Sequence, residues 1–310
     1  MKKMTEEEET NRKMICDEAI TKASKIMVQE TKFSTEERIK YHLAAYELLS
    51  SGSKDVWKWL DERFKQAMEQ TILLIVYPSL DDKREAPLLR ELTAMLSKYR
   101  LMTSWLCIFF EYLDRRFSFG DMKVSLKFVS HKYFQDLVIT GLYPKFRAAA
   151  ILLINQGRTG FYIDCDLLKN VLLVFMEFYT DKGVQCYEDF EMAMLEETAT
   201  YYSQCAQNWL MCDSTDEYIR KVSWCLSQEK GRVADYMACG TEPKLMEVVK
   251  CQLLDNMMDK LIEKKKAEDC GVKTAFQEML SQYGGLALNE RSSESTVADW
   301  LSAYWQNQLG

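Results

Sequence analysis

Asp81-Asp82-Lys83-Arg84-Glu85 is the stretch of this chain whose residue types come nearest to a catalytic pattern. It fits DDxxE, in which carboxylate oxygens act as hard ligands to magnesium. All-helical enzymes acting on prenyl diphosphates use such a motif, and 310 residues would suit one. The Asn/Asp-rich partner motif of those enzymes is absent downstream, and the stretch follows Pro78 in a charged segment. A solvated loop is the simpler reading. The other reactive side chains are scattered. The two histidines, His42 and His131, belong to no HExxH and to no Cys/His spacing suited to zinc. No GxxxxGKS/T, GxGxxG or GxSxG occurs. The 10 cysteines contain no CxxC pair. They read as reduced thiols of a protein of the cytoplasm and nucleus. No catalytic residue, cofactor or metal is assigned, and the chain is expected not to be an enzyme.

Long helices must position whatever function there is. Only 4 prolines and 12 glycines punctuate 310 residues, which disfavours a turn-rich β fold. Residues 1–13 are charged and expected to fray. Ser34-Thr35-Glu36-Glu37 predicts the start of a helix reaching Ser50, with Ser50-Ser51-Gly52-Ser53 as the turn after it. Helical periodicity predicts further helices over 56–76, ended by Pro78, then 88–98, 101–117, 124–141, 145–156, 164–179, 187–212, 214–239 and 242–266. From about Cys270 the texture changes, with a polar loop at 289–295 and a short amphipathic segment at 297–305. The apolar run 71–76 is far too short to span a bilayer. A net charge of −7 argues against nucleic acid or an anionic membrane as partner.

Several segments recur in an order that carries more information than any single motif. They are 187–195 (YEDFEMAML), Tyr201-Tyr202-Ser203, Tyr218, 229–233 (EKGRV) and Glu242-Pro243-Lys244-Leu245. Upstream stand Trp105-Leu106, Phe109-Phe110, 112–117 (YLDRRF), 134–138 (FQDLV) and 166–171 (DLLKNV). From about Phe33 to about Glu263 the chain resembles the N-terminal arm of a cullin, the helical scaffold of ubiquitin ligases. The likeness is nearest to the plant class that recruits F-box proteins through a Skp-type adaptor. It implies an all-α, elongated α-solenoid of stacked five-helix repeats. The first, adaptor-binding repeat would span 14–152 and the second 153–268, with 269–310 a divergent remnant of a third. A cullin continues into a C-terminal domain that holds the RING subunit. Nothing before Gly310 resembles that domain, so no RING subunit is expected as a partner.

The resemblance places adaptor contacts on two segments. The family's Y-x-x-L-Y-x-x-x-Y pattern falls on Arg38, Tyr41, His42 and Tyr46, so two of its tyrosines are replaced. On a helical wheel Arg38, Ile39, His42, Ala45 and Tyr46 share a side. Over 101–117 the apolar arc is roughly 200°, wider than the ~100° that faces one core. Met102, Leu106, Phe109 and Leu113 are expected to face that core, and Trp105, Ile108, Tyr112 and Arg115 a neighbour. Tyr112 and Arg115 sit where the resemblance puts adaptor contacts. The leading expectation is a cullin-like scaffold that binds a Skp-type adaptor, and F-box proteins through it, in competition with intact cullin. The alternatives are a degenerate paralogue or fragment that has lost the adaptor and, remotely, a magnesium-dependent prenyl diphosphate enzyme.

Overall fold

Capping chemistry starts the first helix earlier than charge alone suggests. The structure, a computed structural model, describes residues 4–113 and 125–268. Helix α1 spans Glu6–Ser24. The Glu8 amide donates to Thr5 Oγ1 (3.2 Å), and the Thr5 amide donates to Glu8 Oε2 (2.8 Å). This reciprocal cap satisfies two orphan donors. Glu6, Glu7, Glu8 and Glu9 in the first turn complement the helix dipole. The fraying expected of residues 1–13 is therefore corrected from Thr5 onward.

Helix α2 spans Thr35–Ser50, the expected bounds, and Ser34 and Glu37 form the same reciprocal cap at 3.1 and 2.8 Å. Gly52 then turns the chain with φ +73°, a conformation open to glycine without strain. Helix α3 spans Lys54–Thr71. It does not end at Pro78. A π turn at Ile72–Val76, with the Tyr77 amide donating to Ile72 O, leads directly into α4, Tyr77–Asp81. The turn slips the hydrogen-bond ladder by one residue just ahead of the proline, which lacks an amide and crowds the preceding turn.

The helices expected at 88–98 and 101–117 are one element up to α5's end, Glu85–Phe109. No glycine or proline interrupts the sequence between them. Helix α6, Leu126–Phe134, passes through a second π turn, Gln135–Ile139, into α7, Thr140–Arg158. The break expected between 141 and 145 is absent, and Pro144 lies inside α7. The two π turns pack against each other. The run Leu126–Arg158 is long and apolar enough to cross a membrane by length and composition. Its Phe134, Val138, Ile139, Leu142, Phe146, Ala150 and Ile154 are nonetheless buried in protein, as in a core helix.

Helix α8 spans Cys165–Glu177, capped by Asp164, whose carboxylate accepts from the Leu167 amide at 3.0 Å. Helix α9 spans Cys186–Cys212, α10 Thr215–Tyr236, α11 Thr241–Leu253 and α12 Met258–Glu268. The single helix expected over 242–266 is thus broken, by Leu254 and a 3-10 turn at Asp255–Met257. Among the described residues no strand forms beyond an isolated bridge between Tyr179 and Gln185. The all-α reading holds. The 269–310 remnant, its segment 297–305 and Arg115 lie outside the described residues.

Two compact units divide between Asp189 and Phe190, inside α9. The first is built on Tyr41, Phe64, Phe109, Phe110, Phe134, Phe146, Phe175 and Phe178, all fully buried. In the second, Phe190, Met194, Tyr202, Tyr218, Val222, Leu245 and Val249 are buried.

Candidate functional site: a cross-helix strip on the first unit

Helix α2 packs on α1 and on α5. That packing divides the candidate residues of α2 into two sets. Tyr41 and Ala45 have no solvent exposure. The Tyr41 hydroxyl donates to Glu18 Oε1 of α1 (2.9 Å), and its ring packs edge-on against Phe109 of α5 at 5.2 Å. Burial beside that carboxylate pushes its phenol pKa up. Tyr41 and Ala45 are therefore core residues, which takes Ala45 off the face drawn on the helical wheel and Tyr41 out of the candidate contacts that the family pattern offers. They lie on the inner edge of an arc whose outer edge is Arg38, Ile39, His42 and Tyr46.

The outer set meets α5 and the residues just beyond it in three rungs. The Arg38 guanidinium lies over the Trp105 ring, 5.3 Å from its centroid. His42 Nδ1 donates to the Ile108 carbonyl at 3.2 Å. The His42 and Tyr46 rings both pack on Tyr112, at 5.3 and 4.7 Å. The 38, 42, 46 spacing is one turn per step, so the strip runs roughly 12 Å along α2. His42 has a structural role as well. Ile108 is in the last turn of α5, where carbonyls lose their helical partners.

Behind the strip, Phe33 fills the space between the helices. Its ring lies 4.9 Å from Trp105, 5.1 Å from Phe109 and 6.2 Å from Tyr41. In front, Ile39 is 55% exposed, Ile108 45%, Leu43 45% and Tyr46 43%. Leu43 was missed by the wheel argument. Its signal was the 39, 43, 46 spacing of apolar residues at the edge of the arc. Met102, Leu106, Phe109 and Leu113 are buried, as the wide apolar arc required, and Trp105 and Tyr112 are half-buried.

The acidic groups beside the strip are engaged elsewhere. Glu37 accepts from Lys22 and from the Ser34 amide, which hold its carboxyl below the usual range. Glu18 is held down first by Lys40 and then by Tyr41.

The other candidate chemistry does not assemble. Asp81 ends α4, Asp82 is in the turn after it and Glu85 begins α5. Asp81 pairs with Lys145 at 2.9 Å, which lowers its pKa. Among the described residues no three His, Cys, Asp or Glu side chains are grouped to hold a metal ion. His131 stacks on Phe178 at 4.3 Å. Burial pushes the Cys16, Cys186 and Cys225 thiols up to about 12, which keeps them protonated and unreactive.

The motifs that carried the resemblance are packing devices. In the first unit Asp189 accepts from Arg147 (2.6 Å) and from the Tyr143 hydroxyl (2.8 Å). In the second unit Glu191 accepts from Thr241 Oγ1 (2.5 Å) and Lys244 Nζ (2.6 Å). Tyr202 and Arg232 both donate to Glu229, and the Tyr218 hydroxyl donates to Leu253 O.

The comparisons with known proteins agree with this architecture. The family model described as the cullin alpha solenoid domain matches residues 16–295. Cullin-1 of Oryza sativa subsp. japonica is 37% identical over 249 residues, which are 79% of this chain and 34% of that protein. Cullin-2 of Arabidopsis thaliana is 31% identical over 257 residues, 80% of this chain and 34% of that protein. Cullin-like protein 3 of Arabidopsis thaliana is 32% identical over 219 residues, 71% of this chain and 85% of that protein. The chain thus spans about a third of the length of the two cullins. A match over residues 16–295, together with the polar pairs built from its ordered motifs, places this chain in the cullin family.

Proposed function

We propose that this chain is a scaffold of cullin-type ubiquitin ligases that takes up a Skp-type adaptor, and F-box proteins through it, on the α2/α5 strip. The observation that carries the reading is the strip itself. It has three cross-helix rungs, is flanked by exposed apolar side chains, and stands on a buried aromatic floor. Clustered aromatic and arginine anchors with an apolar surround are the usual composition of an interface core. The same 310 residues bind adaptor without supporting a RING subunit and so compete with intact cullin.

One observation favours a second reading, in which the fold persists and adaptor binding is lost. Arg38 and His42 stand where the family pattern has tyrosines, which makes the strip more polar. A binding titration of the full chain against purified plant Skp-type adaptors separates the two. The adaptor reading expects saturable binding that Tyr112→Ala weakens about tenfold or more, as truncation of an interface aromatic does. No binding by the wild-type chain to any adaptor of the panel overturns it. Binding that Tyr112→Ala leaves untouched removes the strip from it.

A further inference from the structure

We infer that the α2/α5 strip selects a partner that presents a carboxylate to Arg38 beside apolar side chains. Resting on the proposed function, this means that the adaptors this chain takes up carry an acidic residue at that contact. The starting point is the state of Arg38. It is exposed, and its guanidinium lies 5.3 Å from the Trp105 ring centroid. Among the described residues it makes no ion pair. The adjacent carboxylate, Glu37, is taken by Lys22 and by the cap at Ser34. Helix geometry sends Glu36 to another face, because residues two apart do not face each other.

The surroundings turn that charge into a selector. Ile39 and Ile108 are exposed on the same strip, so a partner that packs on them removes water from Arg38. A guanidinium desolvated against an apolar surface with no anion opposite is strongly unfavourable. A partner with an apolar surface alone is thereby rejected, and one with a carboxylate at that point is rewarded. Arginine suits the task because its planar fork meets both carboxylate oxygens, in contacts stronger than neutral hydrogen bonds. The Trp105 ring lies under the guanidinium before any partner arrives, which lowers the ordering cost of docking. The charge of the whole chain points the same way. With a net charge of −7, this protein repels acidic surfaces in general, and Arg38 supplies a local exception on the docking strip.

The test uses the full chain and purified plant Skp-type adaptors, with dissociation constants measured by calorimetry at about 50 and about 300 mM salt. Adaptors that bind the wild-type chain should lose at least about tenfold with Arg38→Glu and less with Arg38→Lys. Arg38→Gln should remove most of the weakening by salt. Reversing the adaptor's acidic residue to lysine should cost the wild-type chain affinity and restore binding to Arg38→Glu. Because Arg38 is exposed, circular dichroism of each variant should match the wild type. If Arg38→Glu binds as tightly as wild type while Tyr112→Ala weakens binding, the strip is the adaptor site and the carboxylate inference fails alone. If no adaptor binds the wild-type chain, the proposed function fails and this inference falls with it.

Discussion

Glu229 has no solvent exposure, yet it is the acceptor for two neighbours in the second unit. The Tyr202 hydroxyl reaches it at 2.7 Å and Arg232 at 2.8 Å. Breaking a buried charged pair by removing one partner costs about 3–5 kcal/mol, far more than loss of an exposed ion pair. Glu229→Ala is therefore expected to destabilise the second unit by about that amount, read from its denaturant midpoint, whereas Lys32→Ala, at an exposed pair, should leave stability nearly unchanged. His131 gives a pH-dependent counterpart in the first unit. Burial against Phe178 lowers its pKa from the ordinary 6.5, with Glu177 opposing the shift and Arg100 adding to it. The unfolded chain then binds the proton more readily than the folded one. This contribution to stability is present above pH 6.5 and is lost as the pH falls from 6.5 through the depressed folded value. His131→Phe should flatten that part of the stability curve, measured by urea denaturation across the window. An unchanged curve would remove His131 as its source.

Among the elements, α2 has the most to do, since it carries one side of the strip and rests on a single reciprocal cap. Ser34→Ala removes the hydroxyl that accepts from the Glu37 amide. The expected cost is about 1 kcal/mol, or roughly 2–4 °C in the melting of the first unit. Adaptor affinity should fall less than with Tyr112→Ala, because the cap lies outside the strip. The π turns at Ile72–Val76 and Gln135–Ile139 explain why element bounds around Pro78 and Pro144 were misplaced. Proline is read in sequence as a stop. Here each follows a ladder already slipped by one residue, and the helix passes through. The join at 98–101 was missed for a simpler reason. The apolar stripe drifts there, and no breaker residue marks an end.

At the scale of the whole molecule, the described residues from 4 to 268 are helices and their connections, and their polar networks serve packing. A polypeptide of these 310 residues, mixed with a RING subunit, a charged conjugating enzyme and an F-box substrate, is expected to give no ubiquitinated product above background. Added to a reconstituted ligase with intact cullin, it should slow substrate ubiquitination in proportion to its concentration. Tyr112→Ala should relieve that inhibition. Robust ligation supported by the chain alone would refute the first expectation, and inhibition unaffected by Tyr112→Ala would detach it from the strip.

Much of the architecture was legible before any coordinates. Ser34 caps the helix it was expected to start, because a cap is a bond between residues three apart. Asp164 and Ser214, the first residues of helices expected from periodicity, are the caps of those helices. The ordered motifs around Asp189, Glu191, Tyr202 and Glu229 marked the family, since buried polar partners fix both residue type and spacing. The buried set Met102, Leu106, Phe109 and Leu113 followed from helical period alone. Pairing across helices did not. His42 and Ile108 are 66 residues apart in the chain, and no local pattern encodes their contact. Tyr41 and Ala45 stand within a turn of His42 on the same helix, and only the approach of α1 and α5 decides that they are core while Arg38 and Tyr46 face out. Local hydrogen bonding is written in neighbouring residues. Which flank of an apolar arc meets a second helix is settled by how the helices pack, and that is a property of the whole unit.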